Sequence, residues 1–443
     1  MTATVVERPP ISIRGHWIDD WRPEDPAFWA ATGAATARRN LIFSIFSEHI
    51  GFSVWTLWSV LVLFLGPKYG IDPAGKFLLT AVPALVGSVL RIPYTFAVAR
   101  FGGRNWTIVS AALLLIPTLL AAFLIKPGIS YSTLLILAAV AGVGGGNFAS
   151  SMANINAFYP DRLKGWALGI NAGGGNLGVA AVQLVGLFVL AVFGAGSPGI
   201  VAGIYIPFIV LAALGAALYM DNLSQARNEK RGMRDAAREA HTWIMALLYI
   251  GTFGSFIGFG FAFGQVLQVQ FHDTFSTPVK AAYLTFLGPL LGSLIRPVGG
   301  ALADRLGGAR VTFVNFVAMA IGAGIVLLAS QVRSLPLYLV GFIALFVFSG
   351  VGNGSTYKMI PAIFRSKYPD LHEARRLSGS VIGIAGAIGA FGGVLVNLAF
   401  RQSFLTYKTA DAAYIAFIAF YALCVIVTWA VYLRPSARRL SGV

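Results

Sequence analysis

Only 11% of the 443 residues are charged, 57% belong to the Ala/Val/Ile/Leu/Met/Phe/Trp/Tyr/Cys set, and the mean hydropathy is +0.75. Soluble domains carry about 25% charged residues, so this chain has too little polar surface to stay in water and reads as an all-α integral membrane protein. The formal charge of +16, from 33 Lys and Arg against 17 Asp and Glu, would suggest nucleic acid in a soluble protein; in a bilayer it marks cytoplasmic loops, and no nucleic-acid partner is expected. The single cysteine, Cys424, lies in an apolar run, which excludes an intrachain disulfide and a cysteine-based metal site.

In chain order, residues 1–39 carry Asp19, Asp20, Trp21, Arg22, Pro23, Glu24 and Asp25 with no apolar core of the roughly 7–15 residues that a signal peptide needs, so they read as a cytoplasmic tail. Twelve segments then reach the ~20 apolar residues that span a bilayer. They lie near 40–65, 76–99, 105–125, 131–158, 163–193, 200–219, 241–270, 279–303, 309–329, 335–364, 376–399 and 409–433. With the N-terminus inside, 23 Lys and Arg fall in inner segments, 7 in outer loops and 3 within the membrane, which places both termini in the cytoplasm. The polar stretch 220–240 divides a six-helix bundle at 40–219 from another at 241–433, and 434–443 form a second cytoplasmic tail.

The two halves repeat each other at a constant offset of 205 residues: Leu79/Leu284, Thr80/Thr285, Gly87/Gly292, Ser88/Ser293, Arg91/Arg296, Arg100/Arg305, Gly102/Gly307 and Gly103/Gly308. Gly142, Val143, Gly144 and Gly146 echo Gly350, Val351, Gly352 and Gly354. Two halves of the same hand imply a pseudo-two-fold axis along the membrane normal and a binding site between them near the midplane.

Arg91 and Arg296 each sit nine residues before a loop arginine, hence roughly 13 Å into the membrane. A charge there costs about 2.5–3.5 kcal/mol on insertion scales and faces a cavity or a partner. A planar guanidinium matches a planar oxyanion in bidentate fashion, so the pair reads as a clamp for an anion; the alternative is that each arginine pairs with buried carbonyls or a carboxylate. The glycine clusters at 142–146, 173–175 and 350–354 suit close helix crossing and also admit a small ligand to backbone N–H groups and Asn176. Phe52, Phe148, Tyr249 and Phe253 are either packing residues or the walls of a sandwich for a planar ion. Glu48, His49 and Lys358 are the remaining intramembrane oddities: Glu48, at a depth like that of Arg91, either titrates or pairs with Lys358, and Lys358 alternatively snorkels to the inner edge.

A membrane enzyme is not expected, since no His/Asp cluster at metal spacing and no nucleophile–base motif such as GxSxG occurs, and neither metal nor cofactor is called for. A sensor would need a soluble domain, for which the tails are too short.

Gly300, Asp304, Arg305, Gly307 and Arg310 resemble the loop motif of the major facilitator superfamily, and the first-half copy at Arg100 has Ala99 where that motif has Asp. GGGNFASSMANINAFYP (144–160), NAGGGNLG (171–178), LLYIGTFGSFIGF (247–259), FSGVGNGSTYKMIPAIF (348–364), WRPEDPAFW (21–29) and LRIPYTF (90–96) resemble the nitrate/nitrite porter family, over nearly the whole chain. The resemblance implies a twelve-helix, monomeric transporter of the cytoplasmic membrane that moves nitrate and nitrite by alternating access. It implies that Arg91 and Arg296 contact the anion, that Asn176 hydrogen-bonds it, that Phe52, Phe148, Tyr249 and Phe253 shape its site, and that Asp304, Arg305 and Arg100 belong to gating loops. The tail and the seventh segment resemble the exchanger branch, in which apolar residues are expected at 48 and 49 and Gln at 358. Glu48, His49 and Lys358 depart from that pattern and keep nitrate/proton symport open beside nitrate/nitrite antiport; a major facilitator transporter of another small oxyanion is the further alternative.

Overall fold

The computed structural model describes residues 13–225, 230–434, 440 and 443; the outer parts of both expected tails and residues 226–229 of the expected linker lie outside the described residues. Among the described residues, twelve helices are long and apolar enough to cross a membrane: α1 Pro26–Phe64, α2 Pro73–Phe101, α3 Gly103–Leu124, α4 Tyr131–Phe158, α5 Asp161–Phe193, α6 Pro198–Tyr219, α7 Ala240–Gln270, α8 Pro278–Leu306, α9 Gly308–Gln331, α10 Leu335–Lys367, α11 Glu373–Tyr407 and α12 Asp411–Leu433. Phe123, Ile136, Val192, Leu218, Val314 and Ile426 are exposed on the outside of the bundle, where a bilayer would take them up.

The first helix starts at Pro26 rather than at residue 40. Asp25 caps it, accepting hydrogen bonds from the N–H groups of Ala27 and Phe28, and Pro26 takes the first helical position, whose N–H would be orphaned in any case. Apolar runs do not reveal this extension because Arg38 and Arg39 interrupt it, yet Trp29 and Ala37 are buried, with Trp29 edge-on to Tyr159 at 5.6 Å. The segment before it is folded too. Strand β1 (Ile13–Arg14) pairs antiparallel with β2 (Trp17–Ile18), and β2 pairs parallel with β3 (Asn222–Leu223) of the linker. Asp221 ties this small sheet to α1 by accepting from Arg39 Nη2 at 2.5 Å and Asn40 Nδ2 at 3.0 Å. The linker also contains a helix, Lys230–Arg238. The end of the bundle that carries the sheet and linker is called the terminal face below.

The repeat seen at offset 205 is structural. Gly102 and Gly307, between α2 and α3 and between α8 and α9, have φ of +88° and +91°, a region that side chains rarely enter, so both copies need glycine for the same turn. Glycine also permits close helix crossing: a Cβ at Gly144 would overlap the carbonyl of Gly51, and one at Gly354 would overlap the carbonyl of Arg296 and the N–H of Gly300. The second contact sets how near α10 lies to the arginine-bearing turn of α8. Gly354→Ala is therefore expected to destabilise the protein by about 1–3 kcal/mol, because the obstacle is backbone and cannot rotate away. Thermal unfolding in detergent checks this, and an unchanged melting temperature would refute the contact.

Candidate functional site

Three helices abandon regular geometry around one point at mid-depth. In α1 the helix breaks at Thr56 and restarts at Trp58. In α4 it tightens to a 3₁₀ turn over Gly142–Gly146, and in α7 it widens to a π turn over Ile250–Gly254. Such irregular turns gather where a helix must re-aim side chains. Here they border Phe52, Phe148 and the pair Tyr249 and Phe253.

Arg91 of α2 is wholly buried, and Arg296 of α8 is 5% exposed. Arg91 reaches across the seam between the halves: Nη1 donates to the Gly386 carbonyl of α11 at 2.8 Å, and Nε donates to the Gly145 carbonyl of α4 at 3.2 Å. Its guanidinium carbon lies 4.5 Å from the ring centre of Phe148, 4.8 Å from that of Phe253 and 5.4 Å from that of Trp55. Arg296 Nη2 donates to Tyr249 Oη at 3.3 Å, and its guanidinium carbon is 5.6 Å from the Tyr357 ring. Among the described residues neither arginine forms a salt bridge, and Arg91 Nη2 and Arg296 Nη1 are buried with no hydrogen-bond acceptor. Aromatic faces and carbonyls hold the cations in place while leaving a donor free on each.

Tyr249 stacks on Phe253 at 5.2 Å, Phe253 on Phe148 at 5.9 Å, and Phe52 meets Phe148 edge-on at 6.1 Å, so the four predicted aromatics form one connected wall. Asn176 of α5 is buried with both amide atoms unsatisfied and makes no hydrogen bond to either arginine. Sequence reading missed Tyr357, Trp55 and Gly386. Tyr357 lies within the recognised segment 348–364 but beside Lys358, whose charge drew the attention. Gly386 contributes only a carbonyl, which no side-chain pattern can reveal.

The possible Glu48–Lys358 pair does not form. Lys358 Nζ bonds Asp304 Oδ1 at 2.6 Å, and both side chains are half-exposed at the terminal face. Glu48 is fully buried, and its Oε2 accepts from Ser151 Oγ and from Asn171 Nδ2, the latter at 2.7 Å. His49 turns to α5, with Nδ1 3.0 Å from the Gly174 carbonyl oxygen. Arg100 and Arg305 are exposed at the ends of α2 and α8. The two polar residues flanking the tyrosine and arginine sites thus have different destinations: Lys358 goes to a loop carboxylate, Glu48 to the interior of the first half.

A cavity of about 360 Å³ runs from Arg91 to the terminal face, past Thr95, Phe148, Met152, Tyr357 and Arg376. An ion pair between Arg375 of α11 and Asp161 of α5 crosses its mouth, and the Asp161 N–H is held by Glu24 Oε1 at 2.9 Å. Beyond the arginines the seam is shut. Thr80 Oγ1 donates to Asn397 Oδ1 at 2.8 Å, Gln183 Nε2 to the Gly260 carbonyl at 2.8 Å and Gln265 Nε2 to the Pro73 carbonyl at 2.6 Å, and Phe77 stacks on Phe400 and Phe404 at 5.6 and 5.4 Å. Among the described residues, the cavity at Arg91 therefore opens toward the terminal face, while these contacts close the seam on the other side.

The model of the Major Facilitator Superfamily matches residues 41–397. The nitrate/nitrite transporter NarU of Escherichia coli strain K12 is 37% identical over 450 residues, covering 94% of this chain and 96% of that protein. The probable nitrate/nitrite antiporter NarK2 of Thermus thermophilus is 37% identical over 453 residues, covering 97% and 99%. Among solved structures, a partially occluded inward-open form of the xylose transporter XylE from E. coli shares the fold at a TM-score of 0.68 and 12% identity, covering 92% of this chain and all of that one. Fold, repeat and full-length relatives agree: the chain belongs to the major facilitator superfamily and, within it, to the nitrate/nitrite porter family of multi-pass membrane transporters, not enzymes.

Proposed function

We propose that this protein carries nitrate and nitrite across the cytoplasmic membrane, with its terminal face and both termini in the cytoplasm, by exchanging one anion for the other at a site between Arg91 and Arg296. The observation that carries the reading is the pair of buried guanidinium groups, one from each half, each with a free N–H donor and neither with a carboxylate partner among the described residues. The basic excess on the terminal side supports the orientation, and relatives named for nitrate and nitrite support the cargo.

The chemistry fits a small planar monoanion. The free Nη2 of Arg91 and Nη1 of Arg296 are charged donors that would otherwise remain unsatisfied in a low-dielectric seam. Phe148 and Phe253 offer flat faces beside them, and Tyr249, whose hydroxyl already accepts from Arg296, orients that guanidinium. Two like charges buried in the same low-dielectric seam repel each other. The anion-free arginines thus oppose closure of the halves, and an anion between them removes the opposition. Exchange follows, because each closing of the seam needs an anion. Opening and closing at the terminal face then breaks and remakes the pair Arg375–Asp161, while the far face works through the contacts of Thr80, Gln183 and Gln265.

Nitrate uptake into proteoliposomes loaded with nitrite tests the reading. Arg296→Lys is expected to lower exchange by about ten-fold or more, since an ammonium cannot reproduce the planar fork and a hydrogen bond to a charged group is worth about 1.5–3 kcal/mol. Full activity in that variant would refute the clamp. Tyr249→Phe keeps the ring but drops the acceptor for Arg296, and is expected to weaken nitrate binding about five-fold, or ~1 kcal/mol, in a competition assay against nitrite, chlorate and phosphate. Phosphate competing as well as nitrate would point instead to a transporter of another oxyanion.

A further inference from the structure

The arginine site has a polar side that two guanidinium groups holding an anion do not by themselves require, and it lies on α10. That helix is unbroken from Leu335 to Lys367, so Phe346, Asn353 and Tyr357 share one face at 3.6 residues per turn. Both ends of this face touch α7 and α8. Phe346 meets Phe256 of α7 edge-on at 6.3 Å, and its ring lies where a side chain at Gly288 of α8 would go. Tyr357 is 5.9 Å, ring to ring, from Tyr249 of α7, and the guanidinium carbon of Arg296 of α8 is 5.6 Å from its ring centre. Asn353, between them, faces the same wedge between α7 and α8. Its neighbours fix that rotation: a Cβ at Gly352 would overlap Thr252 of α7, and one at Gly354 would overlap the carbonyl of Arg296.

Asn353 is 0% exposed, and neither atom of its side-chain amide has a hydrogen-bond partner among the described residues. The Tyr357 hydroxyl is buried and unpartnered among them as well, although the Tyr249 hydroxyl near it accepts from Arg296. A buried hydroxyl left unpaired lowers stability, so a residue needed at 357 for its ring alone would serve better as phenylalanine. Tyr357 also lines the cavity that reaches Arg91. It therefore borders the same space as the arginine of the first half while its ring lies against the arginine of the second.

The first half has no such groups. In the register that pairs Gly142 with Gly350, Asn353 and Tyr357 correspond to Gly145 and Ala149. Gly145 gives Arg91 a backbone carbonyl, and Ala149 has no polar atom to give. The two arms of the site are thus alike in charge and unlike in neutral hydrogen-bonding groups.

We propose that Tyr357 is a specificity-determining residue, whose hydroxyl donates to the third oxygen that nitrate has and nitrite lacks. The proposal rests on the reading that Arg91 and Arg296 hold the anion. Both anions are planar monoanions, and two oxygens of either one can take the free donors Arg91 Nη2 and Arg296 Nη1. At the third vertex nitrate presents an oxygen that carries part of the charge. Nitrite presents there only its nitrogen lone pair, one bond length nearer the centre. A donor fixed on a packed helix reaches the first and falls short of the second, so the Tyr357 hydroxyl is paired when nitrate is bound and stays unpaired when nitrite is bound. A site built to hydrogen-bond a group discriminates against the analogue without it for this reason. The donor suits its place by being neutral: it adds a hydrogen bond without adding a third positive charge to a pair of arginines that must also release the anion.

The test measures nitrate and nitrite binding separately, by titration calorimetry on the purified full-length protein, for wild type and Tyr357→Phe. The expected result is a fall in nitrate affinity about five-fold larger than any fall in nitrite affinity. Equal losses for the two anions would mean that Tyr357 acts only by packing against Tyr249 and Arg296, and would overturn the proposal. No loss for either anion, or a larger loss for nitrite, would overturn it too. Thermal unfolding without anion gives a second readout: Tyr357→Phe is expected to melt at the wild-type temperature or above it, since it removes an unpaired buried hydroxyl. A lower melting temperature would assign the hydroxyl to the fold and overturn the proposal. Arg296→Lys separates this from the underlying reading. Binding of both anions unchanged in that variant would overturn the arginine site itself, whereas binding that depends on Arg296 with an unaltered nitrate-to-nitrite ratio in Tyr357→Phe would overturn the role of Tyr357 alone.

Discussion

Two guanidinium groups buried at the seam of a membrane protein, with no carboxylate bonded to either among the described residues, are the constraint on which the rest of the structure depends. Each would be expensive in hydrocarbon alone. The fold offsets that cost with what does not neutralise charge: the ring faces of Phe148, Phe253, Trp55 and Tyr357, the carbonyls of Gly145 and Gly386, and the hydroxyl of Tyr249. A carboxylate in direct contact would be a stronger local partner, and none bonds either arginine among the described residues. The glycine-rich crossings belong to the same solution, since only helices without side chains at the contact can bring a carbonyl to the arginine from one side and a ring from the other.

The seam is built differently at its two ends. Beyond the arginines it is closed by amide hydrogen bonds and by stacked rings, contacts that exclude water over an extended area. At the terminal face the halves meet through the ion pair of Arg375 and Asp161, which are partly exposed, and such pairs are worth only about 0–1 kcal/mol each. A contact of that kind can open and close without a large energetic penalty, whereas the opposite closure is a set of buried contacts. The N-terminal segment takes part in this asymmetry: Glu24 holds the backbone of Asp161, and Trp21 packs against Phe158, donating to its carbonyl at 3.2 Å, so the residues before the first span brace one partner of the ion pair.

The halves repeat each other in backbone and in arginine, yet not in polarity. Thr107 and Thr312 are equivalent, as are the turns at Gly102 and Gly307, but the acid at Glu48 has no counterpart in the second half. Pseudo-symmetry gives a binding site on the axis two similar arms, and departures from it are where directional or energetic coupling can be added without disturbing those arms.

The twelve spans, the duplication and the burial of Arg91 and Arg296 were legible in the sequence because each is a local or periodic property: apolar runs follow from the thickness of a bilayer, a constant offset survives as identity, and an arginine nine residues inside a helix is costly wherever the chain goes. The start of α1 at Pro26 was less legible, since its amphipathic first turns face protein and not lipid, although the Asp25–Pro26 cap was there to be read. Which partners the intramembrane polar residues choose could be decided only by the tertiary structure. Lys358 and Glu48 are both charged residues within spanning helices, and sequence alone allows them to pair; helix rotation instead sends Lys358 to Asp304 at the terminal face and Glu48 to Ser151 and Asn171. The same holds for Gly386, whose backbone carbonyl completes the arginine site from the other half of the molecule, because a carbonyl is present at every residue and only the packing of α11 against α2 selects this one.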